Sequence, residues 1–301
     1  MTPAARVAFD AFFLPVGDGA RFCIHHAPAG PARAAVLHVH AWTEEMNKSR
    51  RMAALQSRAL AAEGFAVLQI DLLGCGDSAG DFGDATWAQW VDDVVHACGW
   101  LRQRHAGATA MPLPLWLWGH RAGALLAVQA AQQLGAPCHL LLWQPATSGK
   151  TALQQFLRLK VAGDLLGGQA KAAMTQMRDA LAAGQAVEVA GYTLHPALCH
   201  GLEQATLQPP ALPAGRLEWL EISPQDEAAL SPAGASHSER WARDGWAVRT
   251  HLVKGPAFWQ TTEIEDAPTL LQATIDALAG AGSGAGRNAG RPAAVAPAAH
   301  A

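Results

Sequence analysis

The chain is poor in charge, in cysteine and in tyrosine. Only 16% of its 301 residues are charged, and 22 Lys+Arg against 25 Asp+Glu leave a formal charge of −3. Such a balance generates no field that would draw nucleic acid or anionic lipid to the whole surface. The five cysteines, at 23, 75, 98, 138 and 199, are odd in number and form no C-x-x-C pair. That excludes a disulfide framework and points to a reduced, cytoplasmic protein. No apolar run reaches the ~20 residues of a spanning helix. Residues 1–13 lack the basic start and apolar core of a signal peptide. His38-x-His40 sets two imidazoles on one face of a strand, but no third ligand follows at a suitable spacing, so neither metal nor cofactor is expected. What the chain has is apolar residues, 50% of the total, and eleven tryptophans against one tyrosine. Most of it must therefore fold around a core.

Apolar runs alternate with helical periodicity. Strands are expected at 8–14, 21–26, 34–40, 66–71, 115–118, 139–144, 216–222 and 247–253. Helices are expected at 49–63, from Thr86 to about 101, at 124–134 and at 267–279. This β-α rhythm predicts a mostly parallel, doubly wound sheet covered on both faces, with an antiparallel edge made by the first two strands. Helical stretches at 151–161 and 171–183 interrupt the rhythm. The expected organisation is a core of residues 1–150 and 214–279, a helical lid insertion at 151–213, and a disordered Gly/Ala/Pro tail at 280–301.

The most informative stretch is 115–127, LWLWGHRAGALLA. A strand, a G-x-X-x-G turn and a small-residue helix form a nucleophile elbow, and Asp71-Leu-Leu-Gly74-Cys-Gly76-Asp-Ser78 precedes it. Together these resemble the α/β-hydrolase superfamily and imply its fold. The elbow's central residue, however, is Arg121, whose guanidinium offers no lone pair for attack. The acid position after the strand at 216–222 has Glu221 or Asp226 as candidates. The segment after the last strand, Gly255-Pro256-Ala257-Phe258-Trp259, holds no histidine for the base. His251 and His237 lie elsewhere in the order, so Ser-His-Asp chemistry is not expected.

Glu44-Glu45-Met46-Asn47-Lys48-Ser49-Arg50-Arg51-Met52, Trp143-Gln144-Pro145 with Gln155-Phe156-Leu157-Arg158, and Phe258-Trp259-Gln260-Thr261-Thr262-Glu263 resemble blocks of the exosortase A system-associated hydrolase 2 family. The likeness spans about residues 8–279. It implies an α/β-hydrolase fold, an elbow arginine, and a place in bacterial PEP-CTERM protein sorting and exopolysaccharide production.

Several residues admit two readings. Arg121, at a helix N-terminus, suits a carboxylate or phosphate ligand, or an internal pair with Glu44, Glu45 or Glu263. Glu44 and Glu45 are candidates for water activation, or for helix-start carboxylates. His40, Trp42, Gln144, Trp259 and Glu263 are candidate ligand contacts. Trp42, Trp143 and Trp259 each follow a strand, where they line an apolar pocket or pack plainly. Cys75 is expected to be a buried small residue, with Asp77 and Ser78 fixing its loop. Two functions stay open: hydrolysis or transfer of an acyl- or glycan-linked anionic substrate by Arg121 with Glu44 or Glu45, and non-catalytic binding of such a ligand or of a partner from the exosortase system. A structural partner of a membrane assembly is a third.

Overall fold

A computed structural model describes residues 8–17, 19–106, 112–163, 170–211 and 215–280. Of the tail expected at 280–301, all but Gly280 lies outside the described residues. In chain order the elements are β1 (Ala8–Val16), β2 (Gly19–Ala27), β3 (Ala34–Val39), α1 (Glu44–Ala62), β4 (Phe65–Ile70), α2 (Trp87–Arg104), β5 (Leu115–His120), α3 (Gly123–Leu134) and β6 (His139–Trp143). They continue with α4 (Gly149–Gly163), α5 (Ala170–Ala182), β7 (Val187–Val189), β8 (Tyr192–Leu194), α6 (Pro196–Gln204), β9 (Arg216–Ser223), α7 (Pro232–Arg243), β10 (Ala247–Lys254) and α8 (Pro268–Ala279).

Eight strands form one sheet in the order β1-β2-β4-β3-β5-β6-β9-β10. β1 and β2 pair antiparallel with each other, and β2 with β4; the other pairings are parallel. This is the α/β-hydrolase fold expected from the sequence. The strand period of two splits the core. Leu117 of β5 and Leu37 of β3 join one cluster with α2, α3 and Trp241 of α7. Trp116, Trp118 and Val36 join another with α1 and α8. Trp143 belongs to this second core, where its Nε1 donates to Thr274 Oγ1 of α8 at 2.9 Å.

In the glycine-rich loop after β4, Ser78 acts as expected, whereas Asp77 stands exposed and contributes its backbone N–H, which donates to Asp71 Oδ2 at 3.3 Å. The Ser78 hydroxyl donates to Asp71 O at 2.5 Å and accepts from Phe22 N–H at 2.9 Å. Asp71 takes both ends of the Arg50 guanidinium at 3.0 and 3.2 Å. Cys75 is buried there, and burial pushes its thiol well above the ordinary range.

Five elements differ from expectation. α1 begins at Glu44, not at 49, because Thr43 accepts from Met46 N–H and starts the helix one turn early. A short hairpin (β7, β8) and α6 follow α5. α7 precedes β10, capped by Ser231 and opened by Pro232.

Candidate functional site

The site lies at the C-terminal ends of the parallel strands, where open α/β sheets hold ligands. Chain reversals after β3, β5 and β6 put three non-glycine residues at positive φ: Thr43 at 50°, Arg121 at 54° and Gln144 at 39°. Backbone strain of this kind costs about 1–3 kcal/mol per residue and collects where geometry serves function. All three border one cavity of about 660 Å³.

The elbow turns sharply because two neighbours lack side chains. A Cβ on Gly119 would lie 2.5 Å from Ala124 Cα, and one on Gly123 would lie 2.3 Å from His40 O. Arg121 is fixed between them. Its N–H donates to Trp143 O at 3.0 Å and its C=O accepts from Ala124 and Ala146 N–H at 3.1 and 3.0 Å.

Of the three carboxylates considered, Glu45 meets Arg121. Nε donates to Glu45 Oε1 and Oε2 at 3.1 and 3.3 Å, and Nη2 lies 3.0 Å from Oε1. Nη1 reaches Gln144 O at 3.4 Å, and the guanidinium carbon sits 5.5 Å over the Trp259 ring. The pair is partly open, with side chains 16% and 23% exposed. Glu44 stands exposed at the rim. Tyr192 beside it accepts from Asn47 Nδ2 at 3.0 Å, and its phenol is pushed up to about 12, first by burial and then by Glu44.

Trp42, Trp259 and Gln144 border the cavity, as does Phe156 of α4. The Gln144 amide is half committed, since its Oε1 accepts from Ile222 N–H at 2.8 Å. His40 is set behind the site. Its Nδ1 donates to Ala41 O at 2.7 Å and its Nε2 accepts from Leu72 N–H at 3.3 Å, which fixes a neutral tautomer. Glu263 is exposed and does not line the cavity. His120 is buried between the Phe258 and Trp259 rings, at 5.4 and 5.7 Å, and burial holds it well below 6.5.

The other acid and base candidates are engaged elsewhere. Glu221 accepts from Trp219 Nε1 at 3.0 Å, Ser231 N–H at 2.7 Å and the Ser231 hydroxyl at 2.8 Å, so it anchors the start of α7. Asp226 pairs with Lys254. His251 meets buried Glu218 at 2.8 Å, and His237 donates to Leu207 O at 3.1 Å. The described lining of the cavity contains no imidazole.

Sequence reasoning passed over Lys48. It lines the cavity and donates to Thr261 O at 2.8 Å. With α1 starting at 44, residues 44, 45 and 48 share a helical face; a helix starting at 49 hides that relation.

Comparison with known proteins follows the same lines. The family described as "Serine aminopeptidase, S33" matches residues 30–185, a little over half of the chain. A search of curated proteins returned no match. Among solved structures, Est1E from Butyrivibrio proteoclasticus with bound ferulic acid superposes with a TM-score of 0.63 at 15% identity, covering 91% of this chain and 100% of that one. A thermostable carboxyl esterase from Bacillus coagulans in complex with glycerol gives 0.59 at 15% identity, covering 91% and 99%. A soluble variant of monoglyceride lipase from Saccharomyces cerevisiae, with a substrate analogue, gives 0.57 at 13%, covering 92% and 96%.

Proposed function

The chain belongs to the α/β-hydrolase family described as Serine aminopeptidase, S33, and from that premise we propose that it uses the scaffold to hold an anion with an apolar tail, without Ser-His-Asp chemistry. The observation that carries this reading is the Arg121 guanidinium. It occupies the elbow position, clasped by Glu45 and facing the cavity. A guanidinium has five N–H donors, and the bonds to Glu45 and Gln144 leave two for a ligand. Lys48 adds a second cation at the same wall, while Trp42, Phe156 and Trp259 supply an apolar surface for an acyl chain. Hydrolysis through Glu45 fits less well, because both of its carboxylate oxygens are already engaged by the Arg121 guanidinium.

The resemblance of residues 44–52, 143–145 and 258–263 to exosortase A-associated proteins supports a role in that sorting and exopolysaccharide system, in the cytoplasm. Among the described residues no helix is long and apolar enough to cross a membrane. Deleting the gene from a bacterium that carries it should then impair exopolysaccharide production.

Decanoate serves as the direct probe, followed by tryptophan fluorescence and calorimetry. Decanoate is expected to bind, and Arg121→Ala to weaken it by about 10- to 100-fold, the worth of a lost charged hydrogen bond at ~1.5–3 kcal/mol. A serine-directed fluorophosphonate is expected to leave the protein unlabelled, and Arg121→Ser to gain no esterase activity, since no base stands ready. Labelling of a serine, with ester turnover lost on its replacement, would overturn the proposal.

A further inference from the structure

The sheet ends in two unlike edges. β10 carries Arg249, His251 and Lys254, charges of the kind that keep a further strand from adding. β1 reads AFDAFFLPV, with Asp10 as its one charge. Residues 8–11 and 13 are exposed, and Phe9 and Phe13 are 67% and 58% open to solvent. With Ala11 and Pro15 they share one side of the strand, where Phe13 rests against Phe22 at 5.5 Å.

The backbone groups that this edge offers can be read from β2. Phe22 N–H donates to Ser78 Oγ, and Phe22 C=O accepts from Asp71 N–H. Both groups of Phe22 therefore point away from β1. Phe22 pairs with Phe13. Residues opposite each other in an antiparallel pair either exchange both bonds or turn both away. Phe13 thus presents its N–H and C=O to the open side and, by alternation, so do Ala11 and Phe9. Pro15 continues the series without an N–H. Its partner Ala20 agrees, since its C=O accepts from Ala79 N–H.

We propose that a second copy of the chain pairs at this edge, β1 against β1, antiparallel about a two-fold axis at Ala11. Centred there, Phe9 faces Phe13 of the second copy, Phe13 faces Phe9, and the small Ala11 residues meet on the axis. Every outward N–H and C=O of the three residues finds a partner, and Pro15 falls outside the paired region. Centring on Phe13 would set Pro15 opposite Ala11 and lose bonds, so the proline selects the register. Asp10 then stands opposite Phe12, and no like charges are directly opposed. The contact is isologous and closes on itself as a dimer.

Sedimentation velocity on the full chain, from low to high micromolar, is expected to show a dimer that grows with concentration. The double change Phe9→Lys with Phe13→Lys should give a monomer throughout, with unchanged circular dichroism, because both side chains are already in solvent. Ala11→Cys should yield a disulfide-linked dimer on oxidation. Hydrogen-bonded antiparallel partners sit about 5.5 Å apart at Cα, within disulfide reach, and the five native cysteines are buried. A wild-type chain that stays monomeric, a dimer that survives the double lysine change, or a dimer dispersed instead by Leu252→Lys on β10 would overturn the proposal.

Discussion

Acidification from pH 7 to pH 4 is expected to unfold the protein. Burial, ahead of any other cause, lowers His25 and His26 from 6.5 to about 4 and His38 to about 3. His40 and His120 are lowered by burial as well. The unfolded chain binds protons on these rings at about 6.5, and the folded chain takes them up only at lower pH, near 4 for His25 and His26 and near 3 for His38. Between those values the unfolded state holds more protons, so stability rises with pH. The contribution is complete above about pH 6.5 and is lost progressively as pH falls towards 4. Each tenfold difference in proton affinity is worth ~1.4 kcal/mol, so His25, His26 and His38 together account for a loss of several kcal/mol. The whole stability of a domain is about 5–15 kcal/mol. Asp93 pulls the other way: burial raises its carboxyl, which is relieved as pH falls past it, but it stands against these five and against His105, His139 and His237, which burial also lowers. A far-ultraviolet dichroism titration should place the acid midpoint at roughly pH 4–5. His38 packs on Trp118 at 4.3 Å; His38→Leu should move the midpoint to lower pH with little change at pH 7. A fold intact at pH 3, or a His38→Leu midpoint that does not move, would contradict this account.

The same histidines show where sequence reading stops. His38-x-His40 invited a question about metal because alternation puts both rings on one face. What decides their state is enclosure, by Trp118 for one and by two backbone bonds for the other. Neither leaves a mark at those two positions. The sheet, by contrast, was legible strand by strand, because apolar runs bracketed by helical periodicity admit few arrangements. The elbow was legible because Gly119 and Gly123 flank a position where no ordinary turn residue stands. α7 escaped notice under the weak helix formers Gly234, Ser236 and Ser238, although Ser231-Pro232 is a helix start signal. The α1 boundary mattered more. An acidic pair followed by Asn47 and Lys48 reads as a polar loop, yet it forms the first turn of a helix and brings Glu45 to Arg121 and Lys48 to the cavity. The pairing depends on a positive φ at Thr43, a conformation that threonine does not advertise.

Gly123→Ala is expected to abolish folding, and this bears on why the elbow persists around an arginine. A methyl group at 123 would lie 2.3 Å from His40 O and 2.4 Å from Val39 O, where ordinary contact begins beyond 3.4 Å. Both obstacles are backbone at the end of β3, a fully buried strand hydrogen-bonded on each side, so neither can swing aside. Displacing that strand would also break the His40 bonds to Ala41 and Leu72. The cost should exceed ~4 kcal/mol, at the extreme of single substitutions. Gly99, in the middle of α2, is the contrast. No atom lies within 4 Å of a Cβ built there, and alanine should gain about 0.5–1 kcal/mol from the helix alone. Thermal melts of the two variants should therefore move in opposite directions, with Gly123→Ala recovered as insoluble or unfolded protein and Gly99→Ala melting a few degrees higher. The turn is thus a packing requirement between β3 and α3, independent of which side chain it presents. A scaffold that needs this geometry to fold will aim residue 121 at the cavity whichever side chain stands there. A permanent cation held there by Glu45 is then positioned by the same strain that would otherwise expose a nucleophile. A soluble, normally melting Gly123→Ala protein would remove that explanation and leave the arginine's orientation to the Glu45 pair alone.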